Sequence, residues 1–207
     1  MVQPPQTLPR YFTPDRPRFD VVIDVRSPAE FADDHIPGAI NLPVLSDDER
    51  ARVGTIYKQV NPFAARKVGA ALVSRNIARH LDEHFADKPK EYRPLVYCWR
   101  GGQRSGSLAI ILCQIGFRTT VLNGGYKTYR REVMDGLREV AGQLTCRVLA
   151  GRTGSGKTRV LWELAALGGQ VLDLEALAVH RGSLLGSEPG SPQPPQRLFE
   201  SMLYERL

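Results

Sequence analysis

The sequence has few cysteines and no long apolar run. Its three cysteines, Cys98, Cys113 and Cys146, are far apart, and none belongs to a C-x-x-C pair. A disulfide framework, a cysteine zinc site and a dithiol redox motif are therefore not expected. No stretch approaches the roughly 18 consecutive apolar residues of a membrane span, and the Pro-rich start lacks the apolar core of a signal peptide. We expect a cytoplasmic protein that does not bind membranes.

Acidic residues are in the minority, with 22 against 28 lysines and arginines, which gives a formal charge of +6. This excess favours an anionic partner, but the basic residues are spread along the chain, so charge alone does not identify nucleic acid. The 207 residues are 42% hydrophobic and 24% charged. These proportions are typical of a globular protein with room for one domain and part of another.

Short apolar runs alternate with helical patterns over the first two thirds of the chain. The predicted strands are 19–24, 95–98 and 119–122, and the predicted helices are 64–85, 107–115 and 126–137. Such alternation is typical of an α/β fold with a parallel sheet flanked by helices.

A second α/β unit is predicted after this sheet. A strand at 146–150, a helix ending at Leu167 and a strand at 170–173 would form it, followed by a loop and a helix over 196–207. The predicted organisation is a Pro-rich lead over 1–18, a first domain over 19–137, a linker over 138–145 and a partial second domain over 146–207.

The first chemical motif is the cysteine loop, residues 98–105 (CWRGGQRS), between a predicted strand and helix. In C-x-x-x-x-x-R the backbone N–H groups of the loop and the following helix N-terminus form an anion site that stabilises a thiolate. Arg100 and Arg104 add positive charge that suits a tetrahedral oxyanion. Lone buried cysteines are usually structural, as expected for Cys113 and Cys146, but this context favours Cys98 as a nucleophile.

The second motif is a phosphate-binding P-loop, residues 151–158 (GRTGSGKT). It meets every fixed position of G-x-x-x-x-G-K-[ST] and lies between a predicted strand and a predicted helix. Its glycines let backbone N–H groups approach phosphate oxygens, Lys157 neutralises them, and Thr158 would hold Mg²⁺. Asp173 is predicted either to assist that metal or to cap a helix. The predicted phosphate-binding residues are Gly151, Gly154, Ser155, Gly156, Lys157, Thr158 and Asp173.

Residues 23–31 (IDVRSPAEF), 35–43 (HIPGAINLP), the cysteine loop and 122–126 (LNGGY) resemble a rhodanese domain. The resemblance implies a sulfur-carrying role for Cys98, with supporting site residues Asp24, Arg26, Trp99, Gly101, Gly102 and Ser105. The common rhodanese loop is C-x-x-G-x-R-S, whereas here an extra glycine precedes Arg104. The longer loop also resembles that of rhodanese-fold phosphatases and suits a phosphate-like ion.

We expect the other charged residues near these motifs to have structural roles. Asp24 and Arg26 are expected to frame the site by pairing rather than to react. Residues 35–38 form a turn in rhodaneses, so His35 is not favoured as an acid or base. Glu30, Asp33 and Asp34 are expected on a solvated helix face.

The combination of a rhodanese domain and a P-loop domain, with residues 49–59 (ERARVGTIYKQ) and 173–183 (DLEALAVHRGS), is similar to the tRNA 2-selenouridine synthases. That resemblance implies replacement of sulfur by selenium in wobble 2-thiouridine, with selenophosphate and geranyl diphosphate as substrates and S-geranylation as an intermediate step. It implies tRNA as partner, together with the enzyme that makes selenophosphate, and no tightly bound cofactor. Family members continue past residue 207, so the second domain is expected to be partial.

Three other functions stay open at this point. A plain sulfurtransferase would use Cys98 but not the P-loop. A C-x5-R phosphatase would use the longer loop, although Trp99 stands where an acidic neighbour would assist. A non-catalytic module would bind tRNA or nucleotide without any chemistry at Cys98.

Overall fold

The computed structural model describes residues 3–13, 15–152, 154–181, 186 and 190–207. Thr153 of the P-loop and residues 182–183 of the last family motif lie outside the described residues. The chain forms two compact units, residues 1–132 and 133–207. Among the described residues, no helix is long and apolar enough to cross a bilayer.

The first unit contains a five-stranded sheet in the order β1-β5-β4-β2-β3, in which every pair is parallel. The strands are β1 (Gln6–Leu8), β2 (Val21–Asp24), β3 (Ile40–Asn41), β4 (Pro94–Tyr97) and β5 (Thr120–Leu122). β4 is buried along its whole length, because it lies between β2 and β5 and is covered on both faces. The predicted parallel α/β fold is confirmed.

Among the described residues of this unit, five α-helices begin. They are α1 (Pro28–Asp33), α2 (Asp47–Gln59), α3 (Pro62–His80), α4 (Gln103–Ile115) and α5 (Gly125–Ala141), and a π-helical turn (Leu81–Phe85) continues α3. Ser46 and Asn61 cap the N-termini of α2 and α3, and each side chain accepts a backbone N–H bond. The core is formed by aliphatic side chains of strands and helices that are inaccessible to solvent, including Ile23, Val96, Leu108 and Leu112.

The structure corrects the prediction for the N-terminal lead. Residues 1–18 were expected to precede the first domain, yet β1 pairs with β5 at the edge of the sheet, with Thr7 opposite Val121. Pro4, Pro5 and Pro9 flank this short strand and do not interrupt it, which is compatible with the position of proline on edge strands.

The second unit contains the end of α5, followed by α6 (Lys157–Ala166), α7 (Leu174–Leu177) and α8 (Gln196–Arg206). α5 continues to Ala141, so the first residues of the predicted linker are helical. The predicted strands at 146–150 and 170–173 are not formed. A strand requires a neighbour for its backbone hydrogen bonds, and no ladder joins the described residues of this unit.

Candidate active site at the cysteine loop

Cys98 lies immediately after β4, and α4 begins at Gln103. The loop between them turns sharply at Gly101, where φ is +62°. A Cβ atom at Gly101 would lie 2.5 Å from the carbonyl oxygen of Leu122 and 2.8 Å from the backbone nitrogen of Gly124. Only glycine therefore fits this turn, which brings the start of α4 back over the thiol.

Cys98 is 4% exposed, and its thiol accepts two hydrogen bonds. The Gly102 backbone N–H donates to Sγ at 3.3 Å, and the Ser105 hydroxyl donates at the same distance. Burial raises the pKa of this thiol, but the two hydrogen bonds, together with the nearby backbone N–H groups of Ser105 and Arg100, outweigh burial and lower the pKa below that of an ordinary cysteine. The site therefore favours a thiolate, which is the nucleophilic form of the side chain.

The turn after β5 holds the other side of the cysteine loop. The backbone N–H of Tyr126 donates to the Cys98 carbonyl oxygen at 2.8 Å, and that of Lys127 donates to the Trp99 carbonyl oxygen at 3.1 Å. The Tyr126 ring also stacks on Trp99, with 5.2 Å between ring centroids. Gly125 has a φ of +57°, and a side chain there would collide with the Cys98 carbonyl. The two loops thus form one packed unit around the thiol.

Arg104 pairs with Glu30 of α1, a carboxylate that was predicted from the sequence to be exposed to solvent. Its guanidinium donates to Glu30 Oε2 at 2.8 Å, and Arg50 of α2 lies 2.9 Å from the same oxygen. Only 10% of the Glu30 side chain is exposed. Burial raises the pKa of Glu30, but the hydrogen bond and charge of Arg104, together with the charge of Arg50, lower it overall. The prediction that Glu30 lies on a solvated helix face is therefore wrong. Arg100, the other arginine of the cysteine loop, is exposed to solvent.

Asp24 and Arg26 form a buried ion pair beneath the loop, with 2.6 Å between Nη2 and Oδ2. Arg26 also donates to the Asp34 carbonyl oxygen at 2.6 Å and lies under the Tyr126 ring, 4.1 Å from its centroid. Asp34 itself is completely buried and accepts a hydrogen bond from the Tyr126 hydroxyl at 2.8 Å, so it is not on a solvated face either. Desolvation of a charged pair is costly unless its other hydrogen bonds are satisfied, as they are here. The pairing predicted between Asp24 and Arg26 is therefore present.

His35 is engaged in a structural contact with its own helix. Its Nδ1 lies 2.8 Å from the Phe31 carbonyl oxygen, and the two rings stack with 3.8 Å between centroids. These contacts are those of a helix-end turn. They match the structural assignment made from the sequence.

In the second unit, two glycines of the predicted P-loop have left-handed backbone. Gly154 and Gly156 both have φ of +79°, and α6 begins directly at Lys157. The Lys157 ammonium donates to the carbonyl oxygens of Gly151 and Arg152, at 2.9 and 3.0 Å. The Lys157 side chain therefore lies across its own loop, where a bound phosphate would be neutralised.

The remaining predicted phosphate-binding residues take simple positions. Ser155 and Thr158 are exposed, in the loop and in the first turn of α6 respectively. Asp173 caps α7, since its Oδ1 accepts the Ala176 N–H at 3.0 Å. Of the two roles predicted for Asp173, the structure shows the helix cap.

Comparison with known proteins places these two motifs in a single family. Residues 13–132 match the rhodanese-like domain model, and residues 144–207 match the tRNA 2-selenouridine synthase AAA domain model. A tRNA 2-selenouridine synthase of Nitrosomonas europaea is 40% identical over 90% of this chain, and that of Aeromonas salmonicida is 41% identical over 97%. The chain belongs to the tRNA 2-selenouridine synthase family.

The match has a defined extent. The chain covers 48% of the Nitrosomonas europaea protein and 52% of the Aeromonas salmonicida protein, so it spans about half the length of the curated relatives it matches. Among solved structures, the N-terminal domain of a Clostridium difficile 630 protein is 36% identical with a TM-score of 0.48, covering 55% of this chain and 88% of that one.

Two site residues were missed from the sequence. Glu30 and Arg50 stand on α1 and α2, 74 and 54 positions before Arg104, and no local spacing indicates that they meet it. The only local signal was the position of Glu30 inside the rhodanese-like segment 23–31. Cys98, Gly102 and Ser105, by contrast, come from one short motif, and the structure brings them together as expected.

Proposed function

We propose that this chain takes part in the replacement of sulfur by selenium in wobble 2-thiouridine of tRNA. The observation that carries the proposal is the buried thiol of Cys98 with its hydrogen bonds from Gly102 and Ser105, in a chain that is similar to this family over about 90% of its length. The named activity of the relatives supports it, although they are about twice as long. A sulfurtransferase alone would give no role to the P-loop.

The proposed reaction has two steps, and each uses one anion-binding loop. First, the thiouridine sulfur is alkylated by geranyl diphosphate, with loss of diphosphate, which converts the sulfur into a better leaving group. Lys157 and the backbone of residues 151–156 are proposed to hold that diphosphate, with Thr158 at a Mg²⁺ ion that accompanies it. The selenium of selenophosphate then forms a bond to the carbon that carried the alkylated sulfur, which departs as geranyl thiol, and water cleaves the Se–P bond to release phosphate.

Cys98 and its arginines are assigned to the second step. The thiolate is the nucleophile of the site, and the exposed Arg100 is available to the selenophosphate anion. Arg104 is held by Glu30 at 2.8 Å, and we therefore infer that it positions the loop as well as contributing charge. Selenophosphate is a tetrahedral oxyanion, which suits a loop that offers N–H groups and a guanidinium.

The test is nucleoside analysis by mass spectrometry of 2-thiouridine tRNA incubated with the chain, selenophosphate and geranyl diphosphate. We expect selenouridine from the wild type, S-geranyl-thiouridine from Cys98→Ala, and neither product from Lys157→Ala. Cys146→Ser and Lys90→Ala replace an exposed cysteine and an exposed lysine outside the two loops and should behave as the wild type.

Two outcomes would contradict the proposal. Loss of both products in a folded Cys98→Ala variant would show that the two loops do not divide the steps. No modified nucleoside from the folded wild type would show that this chain carries out neither of the two proposed steps.

A further inference from the structure

A long groove lies beside the cysteine loop in the first unit. Its walls are α2, α3 and the first part of α4, and its volume is about 1440 Å³. This exceeds the roughly 300–1,000 Å³ of ordinary small-ligand pockets. Gln103, Arg104, Gly106 and Ser107 belong to its lining, so the groove is continuous with the loop that carries Cys98. It has room for much more than a selenophosphate ion.

The groove has an aliphatic floor. The large apolar side chains along it are Leu45, Val53, Val73, Ile77, Ile110 and Ile111. Among the described residues that line it, Tyr57 is the single aromatic one. Proteins that bind single-stranded nucleic acid in a groove stack successive bases on aromatic side chains, and one tyrosine does not form such a platform. The floor therefore suits a hydrocarbon chain better than a row of bases.

The charge of the groove is positive. Arg50, Lys58, Arg66 and Arg104 line it, and no carboxylate stands among its described lining residues. Glu30 is not among the lining residues, but it pairs with both Arg50 and Arg104, and its single negative charge offsets one of the four positive charges. An aliphatic floor with a basic rim is complementary to an amphiphilic anion, in which an apolar chain is attached to a phosphorylated group.

We propose that this groove holds the prenyl chain of the S-geranylated thiouridine while its sulfur is presented to the cysteine loop. The inference rests on the proposed function, because only that route produces a nucleoside with such a chain. In this arrangement the P-loop binds the diphosphate of geranyl diphosphate, and the groove binds the geranyl group of the alkylated nucleoside. The geranyl thiol that leaves in the second step would then depart from the groove.

The test measures binding without turnover. Dissociation constants are determined by calorimetry for S-geranyl-2-thiouridine 5′-monophosphate and for its S-methyl counterpart, with the full chain. We expect the wild type to bind the geranyl compound at least about tenfold more tightly, since burial of only a few methylene groups is enough for that ratio. Ile110→Asp places a charge among the aliphatic side chains that line the groove. Because Ile110 is 50% exposed, the fold should tolerate the change, and the preference should disappear.

Ile115→Asp is the matched control. Ile115 is on the same helix and is 55% exposed, but it does not line the groove, so this variant should keep the preference. Equal binding of the two compounds by the wild type would overturn the inference, as would a preference that survives Ile110→Asp or is lost equally in Ile115→Asp. If Ile110→Asp instead weakens an unmodified anticodon stem-loop as much as a geranylated one, the groove binds RNA and the inference is wrong. Failure of the proposed function would appear separately, as a missing tRNA product despite an intact preference for the geranyl compound.

Discussion

Removal of the Ser105 hydroxyl should make the Cys98 thiol less acidic and slower to react. This hydroxyl donates to Sγ at 3.3 Å in a position that is inaccessible to solvent, so water will not easily replace it in Ser105→Ala. A hydrogen bond to a charged group contributes about 1.5–3 kcal/mol, and the distance here favours the lower end. Since one pKa unit corresponds to about 1.36 kcal/mol, we expect the thiol pKa to rise by about one unit.

The rate of alkylation near pH 7 changes by less than the thiolate fraction. One unit of pKa reduces the thiolate about tenfold, but the more basic thiolate is intrinsically more nucleophilic, with a Brønsted coefficient of about 0.4–0.5. The net loss should be roughly three- to fourfold. In both proteins the rate rises with pH, and the wild-type inflection should lie below that of an ordinary cysteine because the pKa of Cys98 is lowered.

The assay is iodoacetamide alkylation followed by peptide mass spectrometry across a pH series. It is carried out in a Cys146→Ser background, because Cys146 is exposed and would react first. Ser107→Ala is the control, since the Ser107 hydroxyl lies on the same helix and donates to the Gln103 carbonyl oxygen at 2.7 Å instead of the thiol. An unchanged or lower inflection in Ser105→Ala, or an equal rise in Ser107→Ala, would refute the reasoning.

Two further predictions concern stability and are checked by urea unfolding. Glu30→Gln removes a largely buried carboxylate from Arg104 and Arg50 and should lower the free energy of unfolding by about 2–3 kcal/mol. The control Glu83→Gln changes an exposed pair and should alter that free energy by less than about 0.5 kcal/mol. Equal losses in the two variants would contradict the role given to Glu30. Gly125→Ala should cost at least about 3 kcal/mol because it adds a collision with the Cys98 carbonyl to left-handed backbone strain, while Gly38→Ala carries the strain alone and should cost about 1–2 kcal/mol. A Gly125→Ala variant as stable as Gly38→Ala would show that the two loops are not tightly packed.

The elements that the sequence predicts well are those whose signal is local. β2, β4 and β5 are short apolar runs, and α4 and α5 follow glycine-rich turns, so periodicity and turn chemistry are sufficient to place them. The predicted strands at 146–150 and 170–173 have the same kind of apolar signal but are not formed. An apolar run indicates that a segment favours extended backbone. A strand also needs a neighbouring strand to pair with, and no local pattern specifies that neighbour.

The same distinction applies to the charges around Cys98. The loop motif places Gly102 and Ser105 at the thiol because their distance along the chain is four and seven residues. The charge of Arg104 was expected to serve a bound anion, yet its guanidinium donates a hydrogen bond to Glu30. Glu30 lies 74 residues earlier in the chain and contacts Arg104 because α1 packs beside the cysteine loop. An anion at this loop is therefore met by an arginine that is already held by a carboxylate, and its charge is partly offset before binding. Arg100, by contrast, is exposed, and this difference between the two arginines has no signal in the local sequence.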